Sequence, residues 1–563
     1  MMHRCSGIIT AVFNRRNFVK YVYPLVLICL VSSYSYAAGY IRLNQVGYLN
    51  HDIKRAILGS DQDLTGGKFF IKRLEDDQIV FSDDVGGSKS GISNDTPFRF
   101  NYILDFSAVQ TAGSYRMELQ DGTRSPSFEI NNYFYRSIIA KLLYFLRAAR
   151  CGDTNPALHK PCHLQDATNL NLDLTGGWHD AGDFLKFTHQ IAYTSYLLLL
   201  SYEINKAGYN DYDGDSDKNG TADILDEARV GIDYLVKCYP DKDRFVYMVG
   251  DFDGDHSQPA RMPEDDVLAS NRRPAAIKFD RSVLAKYAYS LALASKIFKE
   301  LPGNESKAQN YLLLAKRAYD KAKTIESGKY DQLCLAATEL YRATADMNYL
   351  AEAKYFDEKT AVAYWGGWSN NANLAHARIA AFYPQSIVKL KESVAHFCAA
   401  SRKNIFGFSV PYAWGSLYSA LSSGSAGLLY GLLSGDDSYS DLPRNIKDYT
   451  LGVNPWGVCF ISGLGAVYPQ NIHNNLAVML KREGRAKEAT ITGAVAEGPY
   501  DRKEWEKEWS GRVAPQDDIF SEFQTSEFVY HDHVADYATN EPTIYGAAEA
   551  VLFFSFYLSA GQR

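Results

Sequence analysis

The chain has 563 residues, too many for one small core, so two or more domains are expected. With 46% hydrophobic and 22% charged residues, the composition excludes a disordered or fibrous chain. The formal net charge of −7 disfavours nucleic acid and anionic lipid as partners and suits a neutral one.

Residues 1–37 read as an export segment rather than as fold. "NRRNFVK" (Asn14–Lys20) leads into a short apolar run that ends in small residues, with a cut expected after Ala37. Arg15 and Arg16, followed by Phe18 and Lys20, fit a twin-arginine signal, and an ordinary secretory signal with chance arginines is the alternative. The expectation is a periplasmic or secreted protein with no membrane anchor once the segment is removed. Removal takes away Arg4, Arg15, Arg16 and Lys20 and no acid, so the net charge moves from −7 to −11. The remaining six cysteines are too few and too scattered for a disulfide scaffold.

Residues 38–131 carry strand patterns. "GSYRMELQDGTRSPSFEI" alternates Tyr115, Met117 and Leu119 on one face, turns at Asp121-Gly122, and resumes with Phe128 and Ile130, as a hairpin does. "KFFIKRL" and "RFNYILDF" fit the same small antiparallel sandwich. From residue 132 to 563 the texture becomes helical. "QIAYTSYLLLLSYEINKAG" is apolar nearly all round, the mark of a helix buried inside a large helical domain. Apolar residues recur at helical spacing through Val283–Phe298, Tyr311–Ile325 and Leu333–Ala345. Helix pairs without strand patterns favour one large all-α domain, such as a helical toroid. Aromatics at 13%, with 40 tyrosines, suit sugar rings and plain interfaces equally.

Several stretches carry chemistry. "GGWHDAGDF" (Gly176–Phe184) sets Asp180 and Asp183 just before a long apolar run. Aspartates there cap a helix and suit its positive end; alternatively, one takes a proton from something bound at the helix mouth. Cys151, Cys162, His163 and His179 supply two thiolates and two imidazoles, a closed tetrahedral set for structural zinc. A Cys151–Cys162 disulfide with unrelated histidines is the alternative. "DSDKNGTADILD" places oxygen ligands at Asp215, Asp217, Asn219, Thr221, Asp223 and Asp226, with Gly220 at the sharp turn of a calcium loop; a polar surface turn is the plain reading. Glu541 lies in "YATNEPTIYGAAEA", in a polar turn ahead of the last apolar helix. Alone it reads as an N-terminal helix acid. Paired with Asp180 and Asp183 it meets the requirement for splitting a glycosidic bond, an acid for the leaving oxygen and a carboxylate for water.

Four stretches, "IRLNQVGY", "GGWHDAGDFLKF", "LGVNPWGVCFISGLG" and "DYATNE", stand in the order of family 9 glycoside hydrolase motifs, the first resembling the start of the immunoglobulin-like module that precedes many cellulases. The resemblance covers essentially the whole chain after residue 37. It implies an immunoglobulin-like β-sandwich before an (α/α)6 toroid, hydrolysis of β-1,4-glucan with inversion, and bound zinc and calcium without an organic cofactor. It assigns Asp183 as general base, Asp180 as a holder of the water, and Glu541 as general acid. Sugar contacts are expected from Trp178, Trp414, His473 and Tyr537.

The chain also departs from the family. A His-His-Arg run that contacts glucan is here "IHNN", with His473 kept and Asn474 and Asn475 in place of His and Arg. Leu417 follows "WGS" where the family tends to be polar, and "YGAA" replaces Asp-Tyr-Asn-Ala after Glu541. Losing an arginine fork removes a charged, directional donor, so sugar recognition near the cut should differ. The expectation is a monomeric, exported, endoglucanase-like hydrolase of a β-1,4-glucan or related polysaccharide or oligosaccharide. The alternatives are an exo-acting glycosidase on oligosaccharides, for instance a glucosaminidase, and a non-catalytic glycan-binding protein.

Overall fold

The computed structural model of the chain describes residues 39–87, 96–211, 218–266, 273–509 and 511–558. The expected export segment, and Asp215 and Asp217 of the expected calcium loop, lie outside the described residues.

The amino-terminal part is all β. Strands β1 (Tyr40–Arg42), β2 (Gly47–Tyr48), β3 (Arg55–Ser60), β4 (Lys68–Arg73), β5 (Ile79–Asp84), β6 (Phe100–Asp105), β7 (Gly113–Leu119) and β8 (Arg124–Ile130) form two sheets. Their orders are β1-β3-β6 and β2-β8-β7-β4-β5. Alternation decides what faces inward. Tyr115, Met117 and Leu119 of β7 are buried while their neighbours are not, because successive side chains of a strand point to opposite faces. The turn at Asp121-Gly122 closes the β7–β8 hairpin, with the Gly122 amide donating to the Leu119 carbonyl at 2.9 Å. Tyr48, Tyr102, Phe106 and Phe128 complete the sandwich core.

Twelve longer helices follow, alternating between an outer and an inner ring. The outer ones are α1 (Tyr135–Ala149), α3 (Asp223–Cys238), α5 (Glu305–Lys323), α7 (Met347–Lys359), α9 (Ser386–Lys403) and α11 (Asp441–Thr450). The inner ones are α2 (Thr188–Ile204), α4 (Arg281–Phe298), α6 (Tyr330–Thr344), α8 (Ala372–Ala380), α10 (Ser416–Ser434) and α12 (Ile544–Ser555). Each inner helix packs on the next, and α12 closes back onto α2. That is an (α/α)6 toroid. Residue character decides which ring a helix joins. Inner α2 buries a continuous run from Ile191 to Ser201, whereas outer α5 buries a single stripe through Ala308, Tyr311, Ala315, Ala318 and Ala322.

The loops that lead into the inner helices meet one another. The Ile544 amide at the start of α12 donates to the Asp180 carbonyl ahead of α2, at 3.0 Å. The Asn371 amide ahead of α8 donates to Asp331 at the start of α6, at 2.8 Å. These loops also hold short strands the sequence did not announce: Lys186–Phe187, Val246–Val249 and Ala275–Ile277 form one sheet, and Tyr500–Asp501 pairs with Phe528–Val529. At two to four residues they are too short for alternation to register. Among the described residues, no helix is long and apolar enough to cross a membrane.

The sandwich docks on the helical part through Asn44 and Gln45. The Gln45 amide nitrogen donates to the Gly457 carbonyl at 2.6 Å, while its carbonyl accepts from the Ala466 and Val467 amides at 3.0 and 2.9 Å. Asn44 donates to Asp448 at 3.1 Å, and Lys447, fully buried, pairs with Asp52. One glutamine therefore pins the loop that carries the Gly452–Gly465 motif. Gln45→Ala removes three hydrogen bonds, one of them to the buried Gly457 carbonyl and two to the more exposed Ala466 and Val467 amides, so it should lower unfolding stability by about 1–3 kcal/mol. Denaturant titration reads this directly, and an unchanged midpoint would contradict the docking role.

Candidate active site

Asp180 and Asp183 sit in the loop entering α2, and Glu541 in the loop entering α12. The Gly182 amide donates to Glu541 Oε1 at 2.9 Å, which brings the two motifs to one point although they lie 359 residues apart. Burial, and then the negative charge of Asp183, hold Glu541 above its ordinary carboxyl range, against the lowering effect of His473. A group so placed keeps its proton toward neutral pH, as a proton donor must.

Asp183 is held differently. Its Oδ1 accepts the Leu185 amide at 3.0 Å, and its Oδ2 meets His256 Nε2 at 2.8 Å. Both oxygens are engaged by donors, which leaves the carboxylate fixed in orientation. The bond to Asp183 raises the His256 imidazole above its usual value, which favours the imidazolium on the cleft side of Asp183. Asp180 is fully enclosed. Burial first, and then the charges of Asp183 and Glu541, push it well above the carboxylate range, and its Oδ1 has no hydrogen-bond partner. Burial thus raises two of the three carboxyls, Asp180 and Glu541, while both oxygens of the third, Asp183, meet donors.

His473, Trp414 and Tyr537 come together beside this group. The Tyr537 ring lies 5.5 Å from those of His473 and Trp414 and 5.7 Å from that of Trp509. Trp414 is 45% exposed and offers a face to the cleft. Trp178 does not. Its indole is fully buried, its Nε1 donates to Glu227 at 2.7 Å, and Glu227 pairs with Arg150 at 2.7 Å. The expected sugar contact at Trp178 is therefore corrected: the residue anchors the loop against α3 and has no face free. The two asparagines also have structural work. Asn474 caps the helix Asn475–Arg482 by accepting the Ala477 amide at 3.0 Å, and the Asn475 amide donates to the Gly182 carbonyl at 2.8 Å.

Residues missed in the sequence complete the cleft. His256 comes from the six-residue helix Phe252–Ser257, and its acid-rich surroundings "GDFDGDH" were the only signal. Trp368, 37% exposed, lies 5.1 Å from the ring of His189 and 6.3 Å from that of Tyr545. Glu497 is buried near the Trp414 loop, and burial together with Glu541 pushes its carboxyl well above the usual range. No periodic pattern marks any of these positions.

Cys151, Cys162, His163 and His179 form one cluster with all four ligand atoms within 4.8 Å of one another. The two sulfurs stay unbridged. Cys151 Sγ lies 3.6 Å from His163 Nδ1, Cys162 Sγ lies 3.7 Å from His179 Nε2, and the two ring nitrogens are 3.2 Å apart. A tetrahedron with the usual zinc–sulfur and zinc–nitrogen lengths has edges of about 3.6 and 3.3 Å. The donor set fits. Burial lowers His179 to about 4, which leaves the neutral ring a metal requires. The described part of the calcium loop shows Gly220 at φ +86° and Asn219 donating to Asp226 at 2.8 Å, while Asn219 Oδ1 accepts the Thr221 amide at 2.7 Å. Asp223 starts α3.

Comparison with known proteins agrees with this geometry. The model of glycosyl hydrolase family 9 matches residues 135–554, and that of the cellulase N-terminal ig-like domain matches residues 37–124. A cellodextrinase from Butyrivibrio fibrisolvens is 26% identical over 92% of this chain and 99% of its own length. A metagenome-derived family 9 endoglucanase of known structure superposes with a TM-score of 0.78 at 25% identity, covering 92% of this chain and 99% of that one. A zinc-binding triple mutant of a family 9 endoglucanase, J30, shares the fold with a TM-score of 0.74 at 21% identity, over 91% of this chain and all of that one.

The burial of Trp178 generates a prediction. Trp178→Phe keeps an aromatic ring but removes one donor from the buried Glu227, which Arg150 still holds, so it should cost about 1–2 kcal/mol of stability while kcat/KM on any hydrolysed glycan stays within about threefold, a change of under 1 kcal/mol in transition-state binding. A large rise in KM with unchanged stability would instead return Trp178 to the sugar.

Proposed function

Since the chain belongs to glycosyl hydrolase family 9, we propose that it is an exported, monomeric hydrolase that splits β-1,4-linked glucan or a related β-glycan with inversion at the anomeric carbon. The Gly182–Glu541 bond is the observation that carries this reading, because it sets an acid beside the aspartate loop at a shared cleft.

The proposed chemistry is a single displacement. Glu541 gives its proton to the glycosidic oxygen as the bond from that oxygen to the anomeric carbon breaks. Water held by Asp180 and Asp183 attacks the same carbon from the opposite face, and Asp183 takes the water's proton. His256 holds Asp183 Oδ2 in place. Trp414, Tyr537 and His473 form one wall for sugar rings, and Trp368 with Tyr545 another. The replacement of the family's arginine by Asn475 removes a charged fork, which favours neutral recognition by stacking over charged clamping. Soluble, short glucans fit such a cleft, in keeping with the cellodextrinase likeness.

Zinc at Cys151, Cys162, His163 and His179 would be structural, because four protein ligands leave no open position. Calcium, the second proposed ion, would take Asp215, Asp217, Asn219, Thr221, Asp223 and Asp226.

Variants at the acid and the base separate their roles. Glu541→Gln should cut kcat about 10²–10⁴-fold on unactivated oligosaccharides, and much less on aryl glycosides whose leaving group needs little protonation. The fall of activity on the alkaline side, which reports loss of the donor's proton, should vanish. Asp183→Asn should damage both substrate kinds alike, because both need activated water. Equal losses on both kinds in Glu541→Gln would remove Glu541 from the acid role. Elemental analysis of protein purified without chelator should find about one equivalent of zinc; an oxidised Cys151–Cys162 bridge without zinc would contradict the metal assignment.

A further inference from the structure

The loop between α3 and α4 connects two things that have no reason to touch. One is His256, which meets Asp183 at 2.8 Å. The other is the Cys2His2 cluster. Between them lies Arg261. Its Nη2 donates to Asp255 Oδ1 at 2.7 Å, and its Nε donates to Asp266 Oδ1 at 2.6 Å. Asp255 adjoins His256 in sequence and is 2% exposed, so its carboxylate has no route to solvent. The other oxygen of Asp266 meets His163 Nε2 at 3.1 Å, the ring nitrogen that faces away from the cluster. The same guanidinium lies over the Phe184 ring at 5.2 Å, and Phe184 packs against His163 and His179 at 5.5 and 4.9 Å.

A guanidinium is planar and carries its donors in a fixed fork, so two carboxylates bound to one fork are fixed relative to each other. Asp266 in turn orients the histidine it touches, as outer partners of metal ligands do. Asp255 and Asp266 stand at opposite ends of a twelve-residue stretch that begins within the short helix, and Arg261 ties those ends together. The helix that presents His256 is therefore not free to drift from the cluster.

We propose that Arg261 is a positioning residue that joins the Cys2His2 cluster to the His256–Asp183 pair, so that the metal cluster holds the base side of the cleft in register. This rests on the reading of Asp183 as the base. Arg261 does not touch the reacting atoms; it acts through Asp255 and His256 on one side and through Asp266 and His163 on the other. Removing it should loosen both ends at once.

The test uses the full-length, zinc-loaded protein and two variants. Arg261→Met keeps the stem over Phe184 and removes the fork; Arg261→Lys keeps the charge but reaches only one carboxylate. Zinc affinity is measured by competition with a pyridylazo chelator, and kcat, KM and the pH profile on a soluble cello-oligosaccharide. Arg261→Met should weaken zinc about 10–100-fold and lower kcat about tenfold (about 1.4 kcal/mol in the barrier), with KM changed less than about threefold. The pH profile of kcat should also move, because the bond to Asp183 that raises the His256 imidazole is no longer held in place. Arg261→Lys should fall between Met and the parent in both readouts, and it decides the matter if the Met variant does not fold. In the double variant with His256→Asn, kcat should be no lower than in the worse single, since both act along one path.

Weakened zinc with kcat and pH profile unchanged would overturn the coupling, as would losses that multiply in the double variant. So would full activity in protein that holds no zinc. Asp183→Asn serves as the separate control. If it turns over normally, the assignment of the base fails, and the zinc competition still reports whether Arg261 supports the cluster.

Discussion

The amide of Gly182 donates to a carboxyl 359 residues further along the chain, and the cleft depends on that contact. A side chain at this glycine would come within 2.3 Å of the His473 carbonyl and 2.9 Å of Glu541 Oε1, so only glycine lets the three loops converge. The Gly182 carbonyl also accepts the Asn475 amide, and the neighbouring Asp180 carbonyl accepts the Ile544 amide. Ring closure of the toroid, α12 against α2, and assembly of the acid with the aspartates are thus one event. The Gly182 and Ile544 amides reach these acceptors only when the two motifs meet.

Around that point the chain grades its carboxyls by environment. Burial raises the enclosed carboxyls of Asp180 and Glu541, while Asp183 is engaged by an amide and an imidazole. Two supports hold this gradation from outside. The Cys2His2 cluster fixes the loop below Asp180 and Asp183, since His179 immediately precedes Asp180. The β-sandwich fixes the Gly452–Gly465 loop through Gln45, and that loop bonds onward to the 494–496 segment beside Glu497. The sandwich supplies no acid–base group and reaches the cleft through this loop.

Much of this could be read in the sequence, and the limits have physical causes. The β7–β8 hairpin was legible because alternation and an Asp-Gly turn are local signals. Helix α2 was legible because an all-apolar run has few ways to be stable. The zinc cluster and the acid–base motifs were recognisable as residue types in order, although their convergence is a property of the ring. What failed was exposure. Trp178 sits beside Asp180 and Asp183 in the sequence, but its indole turns inward to Glu227, because the backbone at Gly177 and the packing of α3 decide the direction. Trp368 and Glu497 lie singly in loops and His256 in a six-residue helix, where no periodicity marks them. Asn474 and Asn475 read as lost recognition; the structure adds that one caps a helix and the other braces Gly182.

The stereochemistry of the product tests the account most directly. Proton NMR of a β-linked cello-oligosaccharide, recorded before mutarotation, should show the new reducing end as the α anomer, because water activated by Asp183 attacks the face opposite to the leaving oxygen that Glu541 protonates. A β product would mean two successive displacements through a covalent intermediate, and would contradict the assignment of Asp183 as a base.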